Sequence, residues 1–280
     1  MIPKVIHYCW FGEQPLPELA IKCIESWKKF CPEYEIKEWN EKNFDLKSCE
    51  YIKEAYNEKM WAFVSDYARF WIVYHEGGVY FDTDVELIKP IDDIIKNGPF
   101  FGLERRPNNG ENSEILIAPG LGMAAELNNL IYKEILDVYN KIHFVTECGE
   151  YNKTTVVSYV TDVFKKNGFR EEMCYNNNEP CVVNANGINI YPWDYFCPMS
   201  YATGDICITK NTRSIHHYTA SWKTKEEIKM KQIEKSVCNI FSPTLGGYIL
   251  KILVLPLRVK MKFKQFGIKQ TIMLIFNKIK

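Results

Sequence analysis

The stretch SDYARFWIVYHEGGVYFDTDVE, residues 65–86, decides how the rest of the chain is read. Residues 61–75 form a helical pattern apolar on most faces, as expected of a helix buried in a larger domain. Gly77 and Gly78 close it, and an apolar strand follows that ends in Asp82-Thr83-Asp84. Side chains alternate along a strand, so residues two apart share a face and both carboxylates can converge on one hard cation. Oxygen ligands suit magnesium or manganese, and two carboxylates leave coordination positions open for the phosphate oxygens of a nucleotide. The plain alternative is that Asp-Thr-Asp ends a strand and caps a turn, where aspartate is common. Asp66 and Arg69 interrupt the helix three residues apart, on one side of it, as an internal ion pair or as residues facing a ligand cleft.

Working outward, the pattern alternates. A strand is expected at 4–11, a helix from Pro17 to about Phe30, a strand at 35–39 and a further helical stretch after it. Strands are expected again at 100–103 and 115–118, and helices at 123–142 and 154–166. This order argues for an α/β fold with a mainly parallel central sheet covered on both faces. Ligands of such sheets bind at the carboxyl ends of the strands, where Asp82 and Asp84 would lie. Segments 105–113 and 175–180, rich in Asn, Glu and Pro, read as surface loops.

The order Ser-Asp-x-x-Arg, Gly-Gly-x-Tyr, Asp-x-Asp resembles the sugar-transferase region of glycosyltransferase family 32, and is similar in its core to the glucosylating domains of clostridial toxins. IPKVIHYCWFG at 2–12, IYPWDYFCP from residue 190 and NTRSIHHYTASW ending at 222 extend the resemblance over roughly residues 1–224. It implies a GT-A type nucleotide-sugar-binding fold, a divalent cation and retention of anomeric configuration. Trp10 then matches the aromatic that stacks on the nucleotide base, and Ser65 and Asp66 match contacts to the nucleoside. Arg69 matches the arginine near the sugar and diphosphate, while Tyr80 and Asp82 match donor contacts, Asp82 also lying near the metal. Asp84 matches the principal metal-binding carboxylate. Trp222, with Ser221 beside it, matches the tryptophan of the loop that closes on the diphosphate. For the histidine that completes the metal site, His217, followed by Tyr218, is the better match and His216 the second. Adjacent strand residues face opposite ways, so only one of them reaches the cleft. On residue type alone, a first-strand aromatic such as Trp10 is core, and a lone histidine is a packing or surface residue.

Charge is balanced overall, at 35 basic and 35 acidic residues. From Glu226 onward, however, eleven Lys or Arg stand against three Glu, a basic tail on an acidic body. Basic residues alternate there with Ile, Leu, Phe and Met, as in LKILVLPLRVKMKFKQF, which fits amphipathic helices on an anionic membrane surface or packed on protein. The apolar run 245–257 is too short and interrupted to span a bilayer. Interleaving with aliphatics rather than stacking aromatics speaks against nucleic acid. Ten cysteines without a C-x-x-C pair give no support to zinc or dithiol chemistry, and no signal peptide is visible at the start.

The expected organisation is thus a catalytic domain at 1–224 and a basic amphipathic tail at 225–280. The expected activity is transfer of a hexose from a nucleoside diphosphate, UDP favoured, with manganese or magnesium, to a glycan or lipid-linked glycan of a surface or capsular polysaccharide. The expected place is the cytoplasm, at the inner face of the membrane. Competing expectations are a magnesium-dependent phosphohydrolase and a non-catalytic, membrane-associated glycan-binding protein. The first needs a Thr or Val where this chain has Glu86; the second is opposed by the presence of Asp82, Asp84 and Trp222.

Overall fold

The computed structural model describes residues 1–104, 114–177, 179–201 and 203–219, and in the tail residues 229–230, 233, 237, 249–250, 252–261 and 263. The chain divides into two compact units, Met1–Thr219 and Ala220–Lys280.

In the first unit the elements run β1 (Val5–Cys9), α1 (Glu18–Phe30), β2 (Glu35–Trp39), α2 (Glu50–Asn57), α3 (Trp61–Glu76), β3 (Gly78–Tyr80), β4 (Val85–Leu87) and α4 (Asp92–Lys96). They continue through β5 (Phe100–Leu103), β6 (Ile117–Ala125), α5 (Leu130–Tyr139), α6 (Val156–Lys166), β7 (Tyr175–Asn176), β8 (Glu179–Pro180), β9 (Val183–Ala185), β10 (Ile188–Tyr191), α7 (Trp193–Phe196) and β11 (Ser214–His216).

Seven strands form the central sheet in the order β2-β1-β3-β6-β5-β10-β9. Pairing of β1 with β2 and β3 is parallel, as is β5 with β10, whereas β6 runs against both its neighbours and β9 against β10. Five of the seven strands therefore point one way, and the architecture is mixed α/β with a mostly parallel sheet.

Alternation along the central strands feeds two cores. Cys9, Tyr80, Phe101 and Met123 face a layer that includes α2, α3, α5 and α6. Tyr8, Val79, Phe100 and Ala124 face the opposite layer, with α1, α4 and α7. Both faces of the sheet are apolar because both are covered.

Two expectations are corrected. Helix formers at Met123, Ala124 and Ala125 suggested a helix from residue 123, yet these residues close the strand β6, and α5 begins only at Leu130. Propensity yields here to position: β6 is buried along its whole length between β3 and β5. The Asp-x-Asp residues, moreover, do not end a continuous strand. β3 stops at Tyr80 and β4 starts at Val85, with a turn between them in which the Val85 N–H donates to the Asp82 carbonyl at 3.0 Å. Segment 175–180, expected as a loop, holds the short exposed hairpin β7–β8; segment 105–113 lies outside the described residues.

In the second unit residues 252–261 are helical, with Ile252, Leu253 and Leu255 exposed and Val254 buried. Among the described residues no helix is long and apolar enough to cross a membrane, and no disulfide is present.

Candidate active site

The site begins with how α3 hands the chain to β3. Gly77 and Gly78 carry φ of 67° and 94°, in the left-handed region that glycine enters without penalty. A Cβ at Gly78 would stand 2.8 Å from the Val5 carbonyl oxygen and 2.9 Å from His7 Nε2. Helix and strand thus join without a linker, and α3 lies along the sheet with its Ser65–Arg69 turn toward the end of β3. His7 belongs to this floor rather than to the chemistry. Its Nε2 lies 2.9 Å from the Gly77 carbonyl oxygen, and its Nδ1 accepts from Trp39 Nε1 at 3.1 Å. Burial lowers its pKa to about 4, so it is neutral, and one ring nitrogen donates while the other accepts.

Asp82 is gripped from the helix. Arg69 is only 4% exposed. Its Nε donates to the Ser65 carbonyl at 3.0 Å; one terminal nitrogen lies 2.9 Å from Asp66 Oδ1 and 3.3 Å from Asp82 Oδ1, and the other lies 3.4 Å from Asp82 Oδ2. The Tyr80 hydroxyl donates to Asp82 Oδ1 at 3.0 Å, and the guanidinium carbon lies 5.1 Å from the centre of the Tyr80 ring. Burial pushes the Asp66 carboxyl up to about 7 against the opposing pull of Arg69. Arg69 therefore spends most of its donors inside the protein and acts as the anchor of two carboxylates.

Asp84 is gripped from the far end of the chain. β11 pairs antiparallel with β4, placing His216 opposite Val85, and the His217 N–H donates to the Asp84 carbonyl at 2.9 Å. His216 Nε2 reaches Asp84 Oδ1 at 3.1 Å, while the Thr219 N–H and hydroxyl donate to Asp84 Oδ2 at 2.9 and 2.8 Å. Burial opposes the charge of Asp84, but His216 and the Thr219 donors outweigh it and hold the carboxyl well below the ordinary range. On His216, burial acts to lower basicity; Asp84, then Asp82 and Glu104, prevail and raise it. Helix α1 steadies β4: Trp27 Nε1 donates to the Val85 carbonyl at 2.7 Å, and the Leu87 N–H donates to Ser26 Oγ at 2.8 Å.

Asp82, Asp84 and His216 offer ligand atoms that all lie within 4.8 Å of one another. His216 Nδ1 is buried without a hydrogen-bond partner among the described residues. Two carboxylates and an imidazole with one unsatisfied ring nitrogen fit a divalent cation of intermediate hardness such as manganese. The expectation that His217 would complete this set is corrected. Its ring turns to Glu86, with Nε2 2.8 Å from Oε2, and Lys22 reaches the same carboxylate at 3.1 Å. Strand alternation sends adjacent histidines opposite ways, and the β4–β11 register assigns the inward side to His216.

Of the other expected residues, Trp10 is half-buried just past the carboxyl end of β1, its indole N–H donating to the Gln14 carbonyl. Ser65 is half-buried at the Arg69 turn, its hydroxyl donating to the Trp61 carbonyl at 3.1 Å. Ser221 and Trp222 lie outside the described residues. Sequence reasoning missed three neighbours. Thr219 holds Asp84. Tyr218, at a φ of 51° unusual for so bulky a residue, sets its ring edge-on to His216, centroids 4.2 Å apart. Its hydroxyl lies 2.9 Å from Cys197 Sγ and donates at 3.3 Å to Glu104, whose carboxyl burial raises. Only the sequence neighbourhood of Tyr218 and Thr219 to the His-His pair hinted at them; nothing local marks Glu104.

Comparison with known proteins gives three findings. Residues 17–101 match the family described as "Glycosyltransferase sugar-binding region containing DXD motif"; the stretches at 2–12 and 190–222 lie outside that match. Inositol phosphoceramide mannosyltransferase 1 of Schizosaccharomyces pombe is 32% identical over 110 residues, which are 35% of this chain and 33% of that protein. The chain thus matches about a third of the length of this curated relative. Among solved structures, PaToxG Glycosyltransferase is 20% identical at a TM-score of 0.44, over 59% of this chain and 69% of its own. A glycosyltransferase involved in the glycosylation of the major capsid of PBCV-1 is 17% identical at a TM-score of 0.43, over 78% and 95%.

Proposed function

Because residues 17–101 match the family described as a glycosyltransferase sugar-binding region containing a DXD motif, we propose that the chain is a metal-dependent, retaining glycosyltransferase. It moves a hexose from a nucleoside diphosphate, UDP favoured, to a glycan or lipid-linked glycan acceptor. The observation that carries this reading is the convergence of Asp82, Asp84 and His216 from two distant parts of the chain. These three residues would hold manganese or magnesium, which when bound supplies positive charge for the departing diphosphate. Arg69 and Tyr80 keep the Asp82 carboxylate fixed, so it costs no reorganisation when charge develops. The resemblance assigns Trp10 to the base, Ser65 and Asp66 to the nucleoside, and Ser221 and Trp222 to the diphosphate. Retention is assigned to a front-face mechanism in which the leaving group helps to deprotonate the acceptor; trapping a glycosyl-enzyme adduct would refute it.

The same reading places the protein in the cytoplasm at the inner face of a membrane, in surface or capsular polysaccharide synthesis. The basic tail and the exposed Ile252, Leu253 and Leu255 support attachment to anionic lipid. Failure of the full chain to sediment with phosphatidylglycerol vesicles at low salt would remove this part.

The test of activity is a panel of UDP-hexoses and GDP-mannose, the latter suggested by the mannosyltransferase relative, incubated with manganese and read as nucleoside diphosphate release. Release from one donor, lost in Asp84→Asn and on chelation, is expected. No release, together with no manganese-dependent nucleotide binding, overturns the reading.

A further inference from the structure

The Asp82 carboxylate rests on a backbone seat in β6. Strand pairing of β6 with β5 is interrupted: Phe101 is opposite Met123, but the next residue, Gly102, is opposite Ala118. Residues 119–122, Pro-Gly-Leu-Gly, are thus looped out of the ladder. Bulges of this kind occur next to functional sites, where they re-aim a neighbouring chain. Here the looped backbone turns toward the Asp-x-Asp turn, and the Asp82 N–H donates to the Gly120 carbonyl at 3.1 Å. A Cβ on Gly120 would collide with Asp82 Oδ2, stand 3.0 Å from Asp82 Cγ and 3.3 Å from an Arg69 guanidinium nitrogen. Gly120 does not have a positive φ among the described glycines, so backbone freedom does not account for a glycine there. The space is what the position supplies.

We propose that Gly120 is a positioning residue: it leaves open the volume in which the Asp82 carboxylate lies between Arg69, Tyr80 and the β6 backbone. Any side chain at 120 displaces that carboxylate from the trio it forms with Asp84 and His216. Its consequence for transfer rests on the function proposed above; its geometric content does not.

The test is a double-mutant cycle of Gly120→Ala and Asp82→Ala, read by thermal unfolding midpoint and by manganese titration. In the native background, Gly120→Ala is expected to lower the midpoint and weaken manganese binding about 10–100-fold, the range for residues that orient a ligand. In the Asp82→Ala background, the added alanine no longer meets a carboxylate and keeps only the 3.3 Å approach to Arg69, so it lowers the midpoint much less. If Gly120→Ala fails to fold alone, recovery of folding in the double variant supports the same conclusion. An equal drop in both backgrounds, or no drop in either, overturns it. Should the native chain bind no manganese, the unfolding cycle still decides the seat, and only the transferase reading falls.

Discussion

The two halves of the carboxylate centre are built by opposite means. The Asp82 half comes from one short stretch: Ser65, Asp66, Arg69, Tyr80 and Asp82 all lie within a single helix, a strand and the start of the turn that follows. The Asp84 half is assembled across more than 130 residues, since His216 and Thr219 arrive only through the pairing of β4 with β11. Their electrostatics differ as well. A permanently charged guanidinium, nearly closed off from water, fixes the first; a titrating imidazole and two neutral donors hold the second. The first half is a rigid support; the charge holding the second depends on the protonation of His216.

That contrast can be broken most sharply at Arg69. Replacing it by methionine strands Asp66 and Asp82 without their counter-charge, and loss of one partner of a buried pair costs about 3–5 kcal/mol. Urea denaturation of Arg69→Met is expected to show a loss of that size. A loss below about 1 kcal/mol would mean that the guanidinium is not the support of this half.

Next in size is the histidine pair. His216→Ala is expected to weaken manganese binding at least about tenfold, whereas His217→Ala, which frees only a partly buried contact to Glu86, changes it less than about threefold. Isothermal titration of both variants decides between them, and the reverse order would mean that β11 is out of the register described here.

The last effect is a slope rather than a step. Asp66 has an ordinary value of 3.8 and is raised to about 7 in the folded chain. The folded state therefore keeps a proton that the unfolded chain releases, so stability falls as pH rises from about 4 to about 7, by at most about 1.4 kcal/mol per unit. Asp66→Asn is expected to flatten this slope in denaturation midpoints measured across that range; an unchanged slope would place its origin elsewhere.

Local pattern made α1, β2, α3 and β5 legible, because each has a clear periodicity and a breaker at its end: Pro17 before α1, Gly77 after α3. It failed at β6, where Met123, Ala124 and Ala125 have the intrinsic preferences of a helix and only the flanking strands make them a strand. It pointed to Asp82 and Asp84 for a partly mistaken reason. The two carboxylates approach through a turn between separate strands, rather than by alternation along one.

The sequence alone determined the alternation of strands and helices, the placement of Asp66 and Arg69 on one side of a helix, and the two carboxylates shortly after β3, because these depend on spacings within one or two turns of chain. Tertiary structure decided that His216 rather than His217 faces Asp84, that Thr219 and Glu104 border the site, and that Gly120 leaves room for Asp82. These follow from register and from the volume between strands far apart in sequence. Neither quantity exists until the chain has packed.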